Sequence, residues 1–564
     1  MNRLSGAEAF VRMLQLHGVR HVFGLCGDTS LPLYDALFRL DHGITHILTR
    51  DERSAAYMAD GYARVSGRVG VCEGPSGGGA TYILPGVVEG NESSIPILAV
   101  TTDIGTSSRG RYALTELDQE ALFRPLTKWN RVIDRADQVP GAVRAAFRAM
   151  TSGRPGAAHI GLPFDVQKGP VDEAEVWAEP ALGIYPARRV APDPGAIEAA
   201  AEAILSAAAP MLVCGGGPVI AGAEAELRAL AERLEAPVAT TISGQGSIAE
   251  THPLAVGVVG SNGGTVPTRE LLDQADLVVF VGCRAGSVTT ERWRHPAPGK
   301  ARIVHLDVDP AVIGANYPTE VAVVGDAKLA LAALNAEVAR LLDRPPERAL
   351  GRAAVARAKA EKFAAFAELA RSDELPIRPE RVVAELQDLL PEDAIVVCDP
   401  GTPCPYFSAY YEQRLPGRHF ISNRAHGALG YAMSAAVGAH YGRPDAQCVA
   451  IMGDGSFGFT AGELETIARL QVPLTMVVIG NATFGWIKAG QKSGLGERYF
   501  SVDFSAGRHD RIAEAFGVRS WRVEEPAALR PALAAALEAA EPTLVDIVAQ
   551  PLHEARAPVS EWVA

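Results

Sequence analysis

The chain has 564 residues, which is too long for one hydrophobic core, and at roughly 100 to 200 residues per domain it predicts about three domains. An apolar content of 48% with 21% charged residues is typical of a water-soluble globular protein. A formal net charge of −13 argues against nucleic acid as a partner, and no apolar run approaches the roughly 18 residues that a membrane span needs.

The N-terminal segment and the cysteines bear on the compartment. Residues 1–19 predict an amphipathic helix rather than the continuous apolar core of a signal peptide. The seven cysteines are dispersed and form no C-x-x-C pair. Together these features predict a protein of the reducing cytoplasm.

Apolar, β-branched segments of strand length alternate with helix-length segments along most of the chain. In chain order they include 44–49, 68–72, 95–101, 210–214, 277–282, 301–307, 394–398, 448–452, 474–479 and 543–548. This alternation is typical of an α/β fold, in which parallel strands are buried on both faces and helices form the crossovers.

Two segments without periodicity divide this pattern. Residues 168–194 are rich in proline and acidic residues, and residues 342–378 join a proline-rich start to a charged, alanine-rich helix. Both are interpreted as surface linkers. The predicted fold is three doubly wound parallel-sheet α/β domains at residues 1–168, 190–342 and 375–552, followed by a tail at 553–564.

The stretch 451–486 carries the clearest chemistry. An apolar strand runs into Gly453-Asp454-Gly455, and after 25 intervening residues the next strand ends at Asn481. The amides of the two glycines and of Ser456 would face a phosphate at the start of a helix, and Asp454 and Asn481 supply oxygen ligands of the kind that Mg²⁺ takes. A bare Gly-Asp-Gly is usually an ordinary turn. Its pairing with Asn481 predicts a metal–diphosphate site.

This motif resembles the thiamine-diphosphate motif of the acetolactate synthase and 2-oxo acid decarboxylase superfamily. The resemblance implies a thiamine diphosphate and Mg²⁺ cofactor pair, with the metal bound by Asp454, the Asn481 side chain and the backbone carbonyl of Thr483. The family usually has two adjacent asparagines, and Gly480 replaces the first. By resemblance, the first domain binds the pyrimidine of the cofactor, the second is similar to a nucleotide-binding domain, and the third binds the diphosphate.

The resemblance extends to the N-terminal third. There the family places a carboxyl group that exchanges a proton with the aminopyrimidine of the cofactor, and Glu52 stands at that position, before an intact Gly61-Tyr62-Ala63-Arg64. The alternative is a first-turn acid favoured by the helix dipole. Gly74 and Pro75 begin a segment that resembles the loop beside the cofactor, with a flexible turn as the alternative.

Several further residues are candidates through the same resemblance. Leu429 matches the apolar wedge beneath the cofactor, or is a core leucine, and His426 beside it is an acid/base candidate. Asp28 is a catalytic acid or a helix N-cap. The substrate candidates are Arg109, Arg111, Tyr112, Trp486 and Lys488, and a solvated surface role is the alternative for the two arginines.

The central domain resembles one that carries FAD in acetolactate synthase, with Gly215–Gly217 and Arg284 on the nucleotide-contacting segments. Relatives without flavin, with adenine nucleotide or with coenzyme A also exist, and glycine-rich strand ends are often purely structural. FAD or an adenine nucleotide is therefore disfavoured here.

The leading functional prediction is an enzyme that makes or breaks a C–C bond next to a carbonyl of a 2-oxo acid. A carboligase is favoured, because Arg111 and Tyr112 replace the paired histidines of pyruvate decarboxylase. A 2-oxo acid decarboxylase and a 2-hydroxyacyl-CoA lyase remain alternatives, whereas a non-catalytic binding protein is disfavoured because Glu52 and Asp454 are both present. The resemblance also implies a homodimer or homotetramer with active sites at the subunit interface.

Overall fold

Three six-stranded sheets organise the chain in a computed structural model that describes residues 3–342 and 344–560. All strand pairs within these three sheets are parallel. The predicted α/β class with three parallel sheets is therefore confirmed. Within the described residues, no helix combines the length and apolarity required to cross a membrane.

The contacts divide the chain into two compact units. The first unit comprises Met1–Arg188, Asn423–Ala446 and Thr460–Val472, and the second comprises Arg189–Ser422, Gln447–Phe459 and Pro473–Ala564. Two segments from the last third of the chain thus belong to the first unit. The domain boundaries read from the sequence stay predictions, and the predicted tail at 553–564 is described only to residue 560.

The first unit contains one parallel sheet and one small antiparallel pair. The strands are β1 (Arg3–Ser5), β2 (His21–Gly24), β3 (Thr45–Leu48), β4 (Gly70–Gly74), β5 (Ile97–Asp103), β6 (Trp129–Val132), β7 (Ala158–Pro163) and β8 (Pro170–Asp172). The sheet order is β3-β2-β4-β5-β7-β6, and β1 pairs with β8. Strands β4, β5 and β7 are buried along their whole length, as expected for strands covered on both faces.

Helices cover both faces of this sheet. They are α1 (Gly6–Leu16), α2 (Leu31–Arg39), α3 (Glu52–Ser66), α4 (Gly78–Tyr82), α5 (Leu84–Glu92), α6 (Gln119–Phe123), α7 (Val139–Thr151) and α8 (Phe164–Lys168). Short 3-10 helices lie at Asp28–Ser30, Thr106–Ser108, Ala136–Gln138, Glu173–Glu175 and Pro180–Gly183. The N-terminal amphipathic helix predicted from the sequence is α1, which a Ser5–Glu8 capping box starts.

The central sheet of the second unit has the order β11-β10-β9-β12-β13-β14. Its strands are β9 (Pro210–Cys214), β10 (Val238–Thr240), β11 (Ala255–Val258), β12 (Leu277–Val281), β13 (Arg302–Asp307) and β14 (Val321–Val324). The helices are α9 (Pro194–Ser206), α10 (Gly217–Ala221), α11 (Glu224–Leu234), α12 (Val266–Asp273), α13 (Ala327–Leu341) and α14 (Arg352–Ala370), with a 3-10 helix at Ile242–Gly244. Helix α14 is the charged, alanine-rich helix of the second linker.

The last sheet, also in the second unit, has the order β16-β15-β17-β18-β20-β19. Its strands are β15 (Ile395–Cys398), β16 (Phe420–Ser422), β17 (Cys448–Gly453), β18 (Leu474–Gly480), β19 (Arg519–Val523) and β20 (Thr543–Val548). The helices of this third of the chain are α15 (Pro379–Leu389), α16 (Pro403–Tyr410), α17 (Ala432–Gly442), α18 (Asp454–Thr460), α19 (Leu464–Leu470), α20 (Gly485–Leu495), α21 (His509–Ala515) and α22 (Pro526–Leu537), with a 3-10 helix at Ala461–Glu463. Helices α17 and α19 lie in the first unit.

Candidate active site

Glu52 is the first residue of α3, directly after the edge strand β3. Asp51 caps the helix, and its carboxylate accepts a hydrogen bond from the backbone N–H of Arg53 at 2.8 Å. Glu52 itself is only 6% exposed. Burial raises the pKa of Glu52, and the negative charges of Asp51 and Glu73 raise it further. A raised pKa is a property expected of a carboxyl group that exchanges a proton during a reaction.

The loop that follows β4 packs tightly around Glu52. A Cβ atom on Gly74 would lie 3.1 Å from the Glu52 Cγ, and one on Gly79 would lie 3.2 Å from Glu52 Oε1 and 2.5 Å from the Cδ of Pro75. Glycine is needed where the backbone comes this close to a side chain. The structure thus brings the predicted Gly74 and Pro75 to the predicted proton relay.

Glu73 is a second carboxyl group near Glu52, and the sequence reasoning missed it. It is 1% exposed, and its Oε1 accepts a hydrogen bond from the Tyr34 hydroxyl and lies 3.2 Å from His46 Nε2. Its other oxygen, Oε2, has no hydrogen-bond partner among the described residues. The available signal was an acidic residue at the end of an otherwise apolar strand, immediately before the glycine-rich loop.

Helix α17 fixes the course of α3 within the first unit. A Cβ atom on Gly61 would lie 2.0 Å from the Ala435 carbonyl oxygen, and one on Gly438 would lie 1.9 Å from that of Met58, so the two backbones touch. The Gly61–Arg64 motif therefore serves helix packing. Arg64 is buried and pairs with Asp60 at 2.7 Å and with Glu89 at 3.2 Å.

The segment with His426 and Leu429 also lies in the first unit. The His426 backbone N–H donates a hydrogen bond to Glu89 Oε2 at 2.7 Å, and Asn423 Nδ2 donates to the Ala428 carbonyl at 2.6 Å. The His426 residue is exposed and Leu429 is half-buried. Both keep their cofactor and acid/base roles as predictions.

Asp454 begins α18 at the carboxyl end of β17, in the second unit. Its Oδ2 accepts hydrogen bonds from the backbone N–H groups of Asn481 at 2.8 Å and Ala482 at 2.6 Å, and its Oδ1 accepts one from Gly455 at 2.8 Å. Burial raises the pKa of Asp454, and these amide bonds oppose that rise. Ala482 has φ +55°, a left-handed turn that points two successive N–H groups at one carboxylate.

Asn481 and Thr483 complete the arrangement at this strand end. The Asn481 Nδ2 lies 3.5 Å from Thr402 Oγ1, and Asn481 Oδ1 accepts a 3.3 Å hydrogen bond from the Thr483 N–H. The Thr483 hydroxyl donates to the Val502 carbonyl at 2.9 Å, which anchors the loop. At Gly455 a Cβ would lie 2.9 Å from the Phe484 ring, so a larger residue there would have to displace that ring.

The donor set fits a magnesium ion with a diphosphate. Asp454 and Asn481 each keep lone pairs beyond the hydrogen bonds that they accept. The Thr483 carbonyl, which accepts a hydrogen bond from the Gly485 N–H at 2.9 Å, would offer a third oxygen. No cluster of three or more His, Cys, Asp or Glu side chains suited to a metal occurs among the described residues. Gly453, the last residue of β17, and Ser456, in the first turn of α18, flank Asp454.

Asp28 is exposed and begins a 3-10 helix, whose N-cap is Gly27. The N-cap of α2 is Ser30. The alternative interpretation of Asp28 as a helix cap is therefore wrong, because the short 3-10 turn moves the start of the α-helix by two residues. Its catalytic role stays a prediction.

The three substrate candidates of the first unit differ in their surroundings. Arg109 forms ion pairs with Asp134 at 3.0 Å and Asp103 at 3.7 Å, beside a cavity of about 250 Å³. Arg111 is exposed, and Tyr112 is fully exposed with φ +57°. The substrate contacts of all three stay predictions.

The two substrate candidates of the second unit lie on α20. Lys488 forms a 2.7 Å ion pair with Asp503 and lies 5.0 Å from the centroid of the Tyr499 ring. Trp486 is half-buried in the first turn of the same helix. Both keep their substrate roles as predictions.

The glycines of the central sheet have a packing explanation. A Cβ atom on Gly215 would lie 2.2 Å from the Gly282 carbonyl oxygen, and one on Gly217 would lie 2.5 Å from the Gly282 Cα. The turns after β9 and β12 therefore meet backbone to backbone. These glycines can be explained without a bound nucleotide.

Three family models match the chain in order. The N-terminal TPP binding domain of thiamine pyrophosphate enzymes matches residues 4–122, the central domain matches 197–334, and the C-terminal TPP binding domain matches 399–547. Similar proteins include the probable acetolactate synthase large subunit of Methanocaldococcus jannaschii, at 36% identity over 97% of this chain and 92% of that protein. The acetolactate synthase large subunit of Parasynechococcus marenigrum is 35% identical over 96% of this chain and 87% of that protein.

The chain belongs to the thiamine pyrophosphate enzyme family. In this thiamine pyrophosphate enzyme the central match spans the whole central sheet. The N-terminal match spans β2 to β5 of the first sheet, and the C-terminal match spans β16 to β19 and most of β20 of the last sheet. The family and the thiamine diphosphate cofactor that the sequence predicted are confirmed. A flavin in the central region has no support from these matches.

Proposed function

We propose that this chain is a Mg²⁺-dependent thiamine diphosphate enzyme that joins carbonyl compounds, with a 2-oxo acid as its substrate. The observation that carries the proposal is Asp454, a buried carboxylate held by three backbone amides beside Asn481. The similarity to proteins named acetolactate synthase over 97% of the chain supports the reaction class.

In this proposal, one group of residues holds the metal and the diphosphate, and Glu52 exchanges a proton. When bound, thiamine diphosphate supplies a nucleophilic carbon and accepts the electron pair of the C–C bond that breaks. Asp454, Asn481 and the Thr483 carbonyl would hold Mg²⁺, and the amides at the start of α18 would face the diphosphate. Glu52 would hold a proton at its carboxyl group and pass it to the aminopyrimidine nitrogen of the cofactor.

The product identifies the reaction. Purified protein with thiamine diphosphate and Mg²⁺ would receive a panel of 2-oxo acids, each with and without an acceptor aldehyde or a second 2-oxo acid, with products identified by mass. We expect loss of CO₂ together with a new hydroxy-ketone product. Release of a free aldehyde alone would instead identify a decarboxylase. Cleavage of a 2-hydroxyacyl-CoA, supplied in a parallel assay, would identify a lyase, and either result would overturn the carboligase proposal.

The assembly is part of the proposal. Glu52 belongs to the first unit and Asp454 to the second, and we propose a homodimer or homotetramer in which one subunit supplies the relay carboxyl and another supplies the metal end. Mixing Glu52→Gln chains with Asp454→Ala chains under subunit exchange tests this. Hybrids should regain activity that neither variant has alone. A mixture that stays inactive after proven exchange would place both residues of a site in one subunit.

Two finer predictions belong to the same proposal. All seven cysteines are free thiols and six of them are buried, which supports a reducing, cytoplasmic location.

The absorption spectrum of the purified protein tests whether the central region binds a flavin. We expect no flavin band near 450 nm, and a stoichiometric yellow chromophore would contradict that expectation.

A further inference from the structure

The segment 460–472, here called the brace, lies in the first unit and contacts the turn that leads into α3. Glu463 Oε1 accepts a hydrogen bond from the Arg50 backbone N–H at 2.8 Å. Arg469 Nη2 donates a hydrogen bond to the Leu48 carbonyl at 2.6 Å. The brace therefore contacts the backbone at both ends of the three-residue stretch before the helix cap, and Glu52 follows that cap directly.

Glu463 is built into this contact. It is 1% exposed, and its second oxygen accepts a 2.8 Å hydrogen bond from the Thr466 hydroxyl, so the side chain has a fixed orientation. The N–H group of Arg50 has no place in the parallel ladder once β3 has ended at Leu48, and Glu463 satisfies it. A buried carboxyl group used in this way is costly unless its bonds are made.

We propose that Glu463 is a positioning residue for Glu52: by holding the peptide of Arg50 it sets where the first turn of α3 presents the relay carboxyl. This inference rests on the proposed role of Glu52. A displacement of about 1 Å at a reacting group can cost on the order of 100-fold in rate, so the contact matters for turnover without touching the substrate.

The ionisation of Glu463 supports a pH-dependent form of this role. Burial raises the pKa of Glu463 to about 7, the nearby charge of Asp51 also raises it, and the bonds from Thr466 and Arg50 act against both. Arg53 forms an ion pair with Asp51 at 2.8 Å, so the turn also carries a compensating positive charge. Near neutral pH the brace thus changes charge directly beside the helix cap.

Glu463→Gln and Glu463→Ala are the test variants. We expect kcat to fall about 10- to 100-fold in Glu463→Ala and less in Glu463→Gln, which keeps an acceptor oxygen for Arg50. The affinity for thiamine diphosphate with Mg²⁺ should stay unchanged in both. The pH profile of kcat should lose an ionisation near 7 in Glu463→Gln. An infrared carboxyl band of the cofactor-free protein that titrates near pH 7 should disappear as well.

Glu250→Gln is the matched control. Glu250 is also buried and its carboxylate also accepts a backbone N–H, from Gln413 at 3.1 Å, but it lies in the second unit. That variant should lose thermal stability and keep the pH profile of the wild type. If Glu463→Ala does not fold, the turnover and pH profile of Glu463→Gln and Thr466→Val are compared with those of the wild type instead.

The outcomes separate this inference from the proposed function. A folded Glu463 variant with the turnover and pH profile of the wild type would overturn the positioning role, and so would a parallel loss of cofactor affinity and turnover. Glu52→Gln is measured alongside. If Glu52→Gln keeps its turnover, the proposed relay itself has failed, whatever the Glu463 variants do.

Discussion

At the scale of single residues, the proposed function depends on carboxyl groups that the protein buries. Glu52, Glu73 and Glu463 lie in the first unit, each at most 6% exposed, and Asp454 in the second is 7% exposed. Burial raises the pKa values of Glu52, Glu463 and Asp454. Such a concentration of perturbed acids is typical of functional sites.

Glu52→Gln is the first prediction at this scale. Glutamine keeps the shape of the side chain but cannot exchange a proton, so cofactor affinity should persist while kcat falls by at least 100-fold. Isothermal titration and steady-state rates on the same preparation measure the two quantities. Wild-type turnover in this variant would contradict the relay role.

The pH dependence of stability follows from Glu463. Its pKa is raised from 4.5 to about 7 in the folded state, so its contribution to stability is fully present below pH 4.5 and is lost as pH rises through 7. The whole change is about 3 kcal/mol. Glu463→Gln does not titrate, and its melting temperature relative to the wild type should therefore be higher at pH 8 than at pH 5. A difference independent of pH would contradict the raised pKa.

At the scale of elements, the decisive contact is the backbone approach of α3 and α17. It needs glycine at Gly61 and Gly438, because the atoms that a Cβ would meet are backbone atoms that cannot move aside. The Gly61–Arg64 motif, which the sequence analysis placed after Glu52, therefore contributes by letting α3 pack against α17.

Gly438→Ala tests this contact. The added methyl group would overlap the Met58 carbonyl, so the protein should lose about 1–3 kcal/mol or more of stability. Gly141→Ala, in helix α7 of the same unit, meets no atom within 4 Å and should be neutral or stabilising. Thermal unfolding compares the two variants. Equal melting temperatures would mean that the helices do not touch there.

The elements also show what a sequence can predict. The long buried strands were predicted because their apolar, β-branched runs persist without tertiary information, as in β5, β17 and β18. Short strands such as β10 and β16 have only three residues and leave no periodic signal. The N-cap alternative for Asp28 was wrong because the 3-10 turn at Asp28–Ser30, which residue types do not reveal, places the N-cap of α2 at Ser30.

At the scale of the whole molecule, the motif residues were predictable and their partners were not. Gly453, Asp454, Gly455 and Asn481 could be proposed together because they stand at the carboxyl ends of two apolar runs that follow each other in the chain. Glu463 could not be linked to Glu52 from the sequence, because its hydrogen-bond partner Arg50 lies 413 positions earlier in the chain and only folding brings the brace to that turn. The division into two units could not be predicted either, because the order of the elements along the chain does not show which of them pack together.

The most direct measurement is the binding of thiamine diphosphate to the cofactor-free protein, with and without Mg²⁺, compared with Asp454→Ala. We predict saturable binding to the wild type that needs Mg²⁺, and an affinity at least tenfold lower in Asp454→Ala, because the variant removes the carboxylate that three amides hold in place. Equal affinity in the two proteins, or binding that ignores Mg²⁺, would contradict the assignment of this strand end as the metal–diphosphate site.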